Sequence, residues 1–170
     1  MNRNIILTGM SGAGKSTLGV LLAKALGMDF IDTDIVIQQR VGRTLQSIIN
    51  SDGIERFMET EESVVSSLAL NNCVTATGGS VIYSDKAMTA LKRGGIVVCL
   101  YVDFDELEAR LTNITTRGIV MRTGSKLEDV YKERLPLYQK YADMTIDCTG
   151  RDIESCVGEL VMQLRHDTNE

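Results

Sequence analysis

Short apolar runs alternate along the chain with longer stretches of helical periodicity. The runs are Asn4 to Leu7, Phe30 to Ile31, Cys73 to Ala76, Ile96 to Val102 and Met144 to Ile146. Their brevity and nearly unbroken apolar character fit strands buried on both faces, the pattern of a parallel sheet in an α/β domain. The stretches between them predict crossover helices. Ser16 to Leu26 is stopped by Gly27, Glu55 to Leu70 forms a long amphipathic helix, and Asp85 to Lys92 ends before Gly94 and Gly95; glycine readily adopts the left-handed backbone that closes a helix. Asp103 is a suitable cap for a helix over Phe104 to Leu111. Thr112 to Ser125 is polar and threonine-rich, holds two glycines and reads as a mobile loop. A helix from Leu127 to about Tyr141 contains Pro136, the one proline, which is expected to kink it near Leu135. Ile153 to Leu164 supplies the last helix. Without repeats, linkers or low-complexity segments, residues 1–170 are expected to form one domain.

The turn after the first strand carries the clearest chemistry. Gly9-Met10-Ser11-Gly12-Ala13-Gly14-Lys15-Ser16 matches G-x-x-x-x-G-K-[ST] and stands between a strand and a helix, where the motif's mechanism requires it. Backbone N–H groups from Gly12, Ala13, Gly14, Lys15, Ser16 and Thr17 are expected to converge on phosphate at the positive end of the helix. The Lys15 ammonium would reach the β- and γ-phosphates, and the Ser16 hydroxyl would ligate Mg²⁺. A dinucleotide reading fails because Thr17 stands where the last glycine of G-x-G-x-x-G belongs and the lysine would have no use. The chain contains no guanine-reading N-K-x-D, so ATP is the expected donor. These features imply an ATP-dependent phosphotransferase of the P-loop class.

Composition narrows the partners. With 44% hydrophobic and 24% charged residues the chain reads as globular, and a formal charge of -5 argues against nucleic acid as ligand. No apolar stretch approaches the length of a membrane span or a secretory signal. Cys73, Cys99, Cys148 and Cys156 form no C-x-x-C pair and are expected to be reduced thiols of a cytoplasmic protein. The one histidine, His166, falls in a polar tail and is given no catalytic or metal role. A monomer acting on a small hydroxylated substrate is the expected form.

Asp32-Thr33-Asp34 follows the second strand, at the carboxyl edge where open α/β sheets bind their ligands. Asp32 is suited to hold Mg²⁺ through water, and Asp34 to accept a hydrogen bond from an acceptor hydroxyl and orient it for in-line attack. Asp34 is equally suited to cap a helix starting at Ile35.

From Asn4 to about Arg151 the chain resembles the shikimate kinase family. The features that carry the resemblance are GMSGAGKST followed by Gly19, Asp32-Thr33-Asp34, Gly53 and Phe57 with Glu61, Thr77-Gly78-Gly79, Arg117 in the polar loop, and Arg134-Leu135-Pro136-Leu137-Tyr138. The resemblance implies a P-loop fold with a five-stranded parallel sheet in the order 2-3-1-4-5, helices on both faces, a lid at about 112–125 and a helical substrate-binding region at about 33–61. It also implies roles. Lys15 and Ser16 would serve ATP and Mg²⁺, Asp32 the metal, and Asp34 the acceptor hydroxyl. Gly78 and Gly79 would present backbone to the acceptor beside Phe57, Arg117 would reach the transferring phosphoryl group, and Arg134 would pair the acceptor's carboxylate. Arg117 and Arg134 can also be read as solvated loop and helix charges. Arg110 and Arg151 are candidates to meet adenine, or else surface charges.

Three positions depart from the family pattern. Where the family writes G-E-x-x-F-R-x-x-E, this chain has Met58 at the position of the substrate-clamping arginine. Ser80 replaces the third glycine of a Gly-Gly-Gly turn, and Gly118 replaces a proline after the lid arginine. All three lie on the acceptor side or the lid. This leaves open a kinase of a related polyol or hydroxy acid, or a non-catalytic ATP-binding regulator.

Overall fold

The computed structural model describes residues 3–112, 120–121 and 124–166. Strands β1 (Asn4–Thr8), β2 (Asp29–Asp32), β3 (Cys73–Ala76), β4 (Gly95–Tyr101) and β5 (Met144–Asp147) form one parallel sheet in the order β2-β3-β1-β4-β5. The helices are α1 (Lys15–Leu26), α2 (Thr33–Val41), α3 (Leu45–Ser66), α4 (Asp85–Lys92), α5 (Phe104–Thr112), α6 (Leu127–Tyr141) and α7 (Ile153–His166). Helices cover both faces of the sheet: α1 packs with α7, and α3 with α4. Each strand but the last is followed by a crossover helix, so all five strand ends that carry function open on one edge.

The unbroken apolar runs have the cause expected of a parallel sheet. Ile5, Ile6, Leu7, Val74, Val97 and Val98 are each at most 1% exposed, and burying one such side chain contributes about 1.5–3 kcal/mol. A second, smaller cluster of Ile37, Ile48, Phe57, Val64 and Val120 joins α2 to α3, with Met58 packed against it. It gives the helical region its own apolar floor. The four cysteines are buried free thiols, in keeping with their apolar surroundings. No helix among the described residues is long and apolar enough to cross a membrane.

The strands and α4 and α6 lie where the hydropathy pattern puts them; α3 does not. It starts at Leu45 rather than Glu55 and ends at Ser66 rather than Leu70, and Gly53 breaks it with φ 86° and ψ 167°. Thr44 caps the start by accepting from Ser47 N (3.2 Å). At the other end Ser67 N turns back to Val64 O, and Asn4 Nδ2 takes the Leu70 carbonyl (3.1 Å), pulling the chain toward β3. Asp32, not Asp34, caps α2, accepting from Asp34 N at 3.0 Å. The helix α6 continues as one element across Pro136, an exposed position where the unmatched carbonyl one turn earlier can meet water.

Candidate active site

The loop from Gly9 to Gly14 is built to meet anions. Gly9 has φ 137°, and a Cβ there would sit 2.6 Å from Leu100 O on the neighbouring strand, so the turn accepts only glycine. Gly14 stands at the head of α1 with φ 95° and no side-chain cap, and the first turn of α1 carries no acidic residue. The N–H groups and positive end of the helix are therefore left for a ligand. Lys15, only 7% exposed, arches back over this loop, donating to Gly9 O (2.7 Å) and Met10 O (2.8 Å). Ser16 Oγ donates to Asp32 Oδ2 at 2.6 Å. Two hard oxygen donors side by side at the mouth of the loop fit Mg²⁺, an ion that keeps several of its waters and takes one or two protein ligands beside phosphate.

Across the cleft from the loop lies the turn after β3. A small cavity there is lined by Ser11, Asp34, Phe57, Glu61, Gly79 and Arg134, among others. Two residues that sequence reasoning left without a role fix the turn. Thr33 Oγ1, fully buried, accepts from Gly78 N (3.0 Å), and Tyr138 Oη donates to Gly79 O (2.6 Å). Each stands in a motif, but neither reach is visible from spacing, because 45 and 59 positions separate the partners.

Gly78 is a glycine for lack of room. A Cβ there would collide with Glu61 Oε1 and lie 3.0 Å from Asp34 Oδ1. Gly78→Ala is expected to cost about 1–3 kcal/mol through overpacking and to raise the acceptor KM, measured by urea unfolding and steady-state kinetics.

Glu61 is the buried carboxyl of the site, 2% exposed, with Oε2 accepting from Ser80 Oγ (2.6 Å). Burial pushes its pKa up to about 7, and Asp34 adds to the rise, against the Ser80 hydrogen bond and the charges of Arg134 and Lys15. The folded protein therefore holds this proton where the unfolded chain has lost it. The resulting stability is fully present below about pH 4.5 and lost as pH rises through about 7. Glu61→Gln, which cannot ionise, is expected to remove this part of the pH dependence, about 3 kcal/mol between those limits. Denaturant unfolding of both proteins across that range checks it.

Arg134 is buried at 2% exposure rather than displayed on the surface of α6. Its Nε donates to Tyr83 Oη (3.2 Å), its Nη2 donates to Val120 O, and its guanidinium lies 5.2 Å from the Tyr83 ring centroid. Beside it opens a cavity of about 140 Å³ walled by Ile54, Met58, Tyr83, Val120, Met121 and Val130, among others. Met58 belongs to its apolar lining, which the polar Ser125, Glu133 and Arg134 complete.

At the other end of the phosphate loop, Arg110 pairs with Glu106 and donates to Gly12 O (3.3 Å) and Cys148 O (3.4 Å), tying the loop to the turn after β5. Arg151, in that turn, pairs with Glu159 and donates to Asp147 O (3.1 Å) and Ser155 Oγ (2.9 Å). Both candidate adenine contacts thus meet at this turn, Arg110 from α5 and Arg151 from within it, each already braced by the protein. Arg117 and Gly118, and most of the proposed lid at 112–125, lie outside the described residues.

A phosphate loop after β1, a carboxylate pair after β2 and an arginine-backed glycine turn after β3, on a parallel sheet of this order, define a P-loop phosphotransferase. Comparison with known proteins agrees. The family model described as shikimate kinase matches residues 11–165. A shikimate kinase of Thermodesulfovibrio yellowstonii is 33% identical, the match covering 98% of each chain, and one of Nitrosococcus oceani is 36% identical over 97% of this chain and 88% of its own. A shikimate kinase from Acinetobacter baumannii, solved in complex with shikimate, superposes with a TM-score of 0.91 at 31% identity, over 99% of this chain and 96% of that one. A thymidylate kinase from Candida albicans, at 13% identity and a TM-score of 0.60, shares the fold. The chain belongs to the shikimate kinase family, and is an ATP- and Mg²⁺-dependent kinase of a small molecule.

Proposed function

We propose that the chain transfers the γ-phosphoryl group of ATP to a hydroxyl of shikimate, giving shikimate 3-phosphate and ADP. The observation that carries this reading is that Asp34 and the buried Arg134 line one cavity together with Gly78 and Gly79. Arg134 is suited to hold the acceptor's carboxylate through charge-assisted hydrogen bonds. Asp34 accepts a hydrogen bond from the reacting hydroxyl and fixes its oxygen in line with the γ-phosphorus; the new O–P bond forms as the β–γ bridge breaks, the hydroxyl proton passes to Asp34 and ADP leaves. Lys15 and the N–H groups of Gly12 to Thr17, among them Ala13, meet the charge that spreads over the equatorial phosphoryl oxygens. Ser16 and Asp32 would hold Mg²⁺, which when bound neutralises charge on the β- and γ-phosphates. Arg117 is assigned to the transferring phosphoryl group from the lid, and Arg110 and Arg151 to the adenine end. The enzyme is read as one kinase domain over residues 1–170, acting as a cytoplasmic monomer.

One observation favours a second reading, a related polyol or hydroxy acid as acceptor: Met58, with Ile54, Val120 and Met121, lines the cavity beside Arg134 where the family pattern has an arginine. Loss of one charge-assisted bond weakens binding by roughly 1.5–3 kcal/mol, tenfold or more. ADP release measured with shikimate and with a panel of small hydroxylated acids and polyols decides between them. The first reading expects kcat/KM to be highest for shikimate, with KM below about 1 mM. A panel member exceeding shikimate tenfold would establish the second.

A further inference from the structure

Ser80 departs from the family's glycine, and the structure puts it in contact with the consequence of another departure. Ser80 and Glu61 are 3% and 2% exposed, and their hydrogen bond spans 2.6 Å. The other carboxylate oxygen, Glu61 Oε1, has no hydrogen-bond partner among the described residues and packs on Gly78. Met58 lies three positions before Glu61 on α3, on the same helix face, and lines with Glu61, Ser80 and Tyr83 a cavity of about 340 Å³. A cation at position 58 would stand where it can pair with Glu61; a thioether cannot donate to it.

We propose that Ser80 is a positioning residue that replaces the missing cation: its hydroxyl holds Glu61 against Gly78, so Met58 and Ser80 form a matched pair that sets the acceptor edge of the site. The Gly78–Gly79 turn is then held from three sides, by Thr33, by Tyr138 and by the Ser80–Glu61 pair. Among the described residues, the charged groups facing Glu61 from the neighbouring elements are Asp34 on α2, Lys15 on α1 and Arg134 on α6. The two cations are both already engaged with backbone carbonyls, Lys15 with Gly9 and Met10 and Arg134 with Val120. The hydroxyl of Ser80 is the direct donor.

The matched pair predicts coupling. Because the Glu61 carboxylate can be served from either side, Met58→Arg should help most where Ser80 is absent. The kinetic part of the test rests on shikimate as acceptor; the spectroscopic part does not. In ¹³C NMR titrations of glutamate-labelled protein, Ser80→Ala should shift the Glu61 midpoint upward, roughly tenfold in its ionisation constant, since a hydrogen bond to the charged form is lost. Ser80→Thr should keep the midpoint near that of the parent, and Met58→Arg in the Ser80→Ala protein should bring it back down. With shikimate, Ser80→Ala should raise the acceptor KM about tenfold while changing kcat and the ATP KM less than threefold, and Met58→Arg should recover most of that loss. An unchanged Glu61 midpoint in both Ser80→Ala and Ser80→Gly overturns the proposal even if shikimate is a good substrate. So does a Met58→Arg effect of equal size with and without Ser80. A shifted midpoint in a protein that does not turn over shikimate upholds the Ser80–Glu61 assignment and removes only the acceptor reading.

Discussion

Lys15→Ala is expected to lower kcat about a thousandfold, with the acceptor KM changed little. The ammonium sits over the loop that cradles the phosphates, its Nζ within 2.8 Å of two loop carbonyls. A preorganised positive charge aimed at developing phosphoryl charge acts mainly in the transition state, and removal of one such donor costs 10²–10³ or more. Because the same side chain ties Gly9 to Met10, a thermal melt must accompany the kinetics. A loss of kcat with the fold intact supports the electrostatic role. A loss accounted for by unfolding, or a kcat within tenfold of the parent, contradicts it.

Asp34→Asn is expected to reduce kcat about 10²–10⁴-fold, the range of a positioned acid–base group. The amide keeps the shape of the side chain but cannot carry a negative charge to the acceptor hydroxyl. The cap of α2 should survive, because Asp32 and not Asp34 provides it, so the substitution separates chemistry from folding. Its influence should extend to Glu61, whose proton is held more tightly beside the Asp34 charge; the Glu61 midpoint is expected to fall when residue 34 is neutral. Steady-state kinetics and the same NMR titration check the two parts.

Much of this site could be read from the chain because its pieces are local. The phosphate loop is a contiguous run of glycines, a lysine and a serine whose spacing is set by one turn between a strand and a helix. The two carboxylates stand at the last residue of the second strand and in the first turn of the helix after it. The parallel sheet followed from apolar runs such as Ile5 to Leu7, since strands buried on both faces have no polar alternation to hide. What stayed hidden joins distant positions. Thr33 meets Gly78, Tyr138 meets Gly79 and Ser80 meets Glu61 only after the strands are aligned. Helix α3 was misplaced because Gly53 and a polar segment before it broke the periodicity that betrays a helix, while its first half is held by a Thr44 cap and the small cluster around Ile48 and Phe57. Arg134 could be read either as a surface charge or as a binding residue. Its burial against Tyr83 and Val120 excludes the first.

The acceptor side also explains why family membership alone leaves room for a question. The donor half keeps each element of the phosphate loop, whereas Met58 and Ser80 both line a cavity beside Glu61, and Met58 also lines the one beside Arg134. Under the proposal both substitutions act on Glu61, so a single reversion is a poor test of either. The double change is the informative one.

The most direct test of the central claim is ³¹P NMR of the purified protein with MgATP and shikimate. The account predicts that ADP appears together with an equal amount of a phosphate monoester on the acceptor, and that Asp34→Asn suppresses both signals. ADP accompanied only by inorganic phosphate, at a rate indifferent to shikimate, would contradict it.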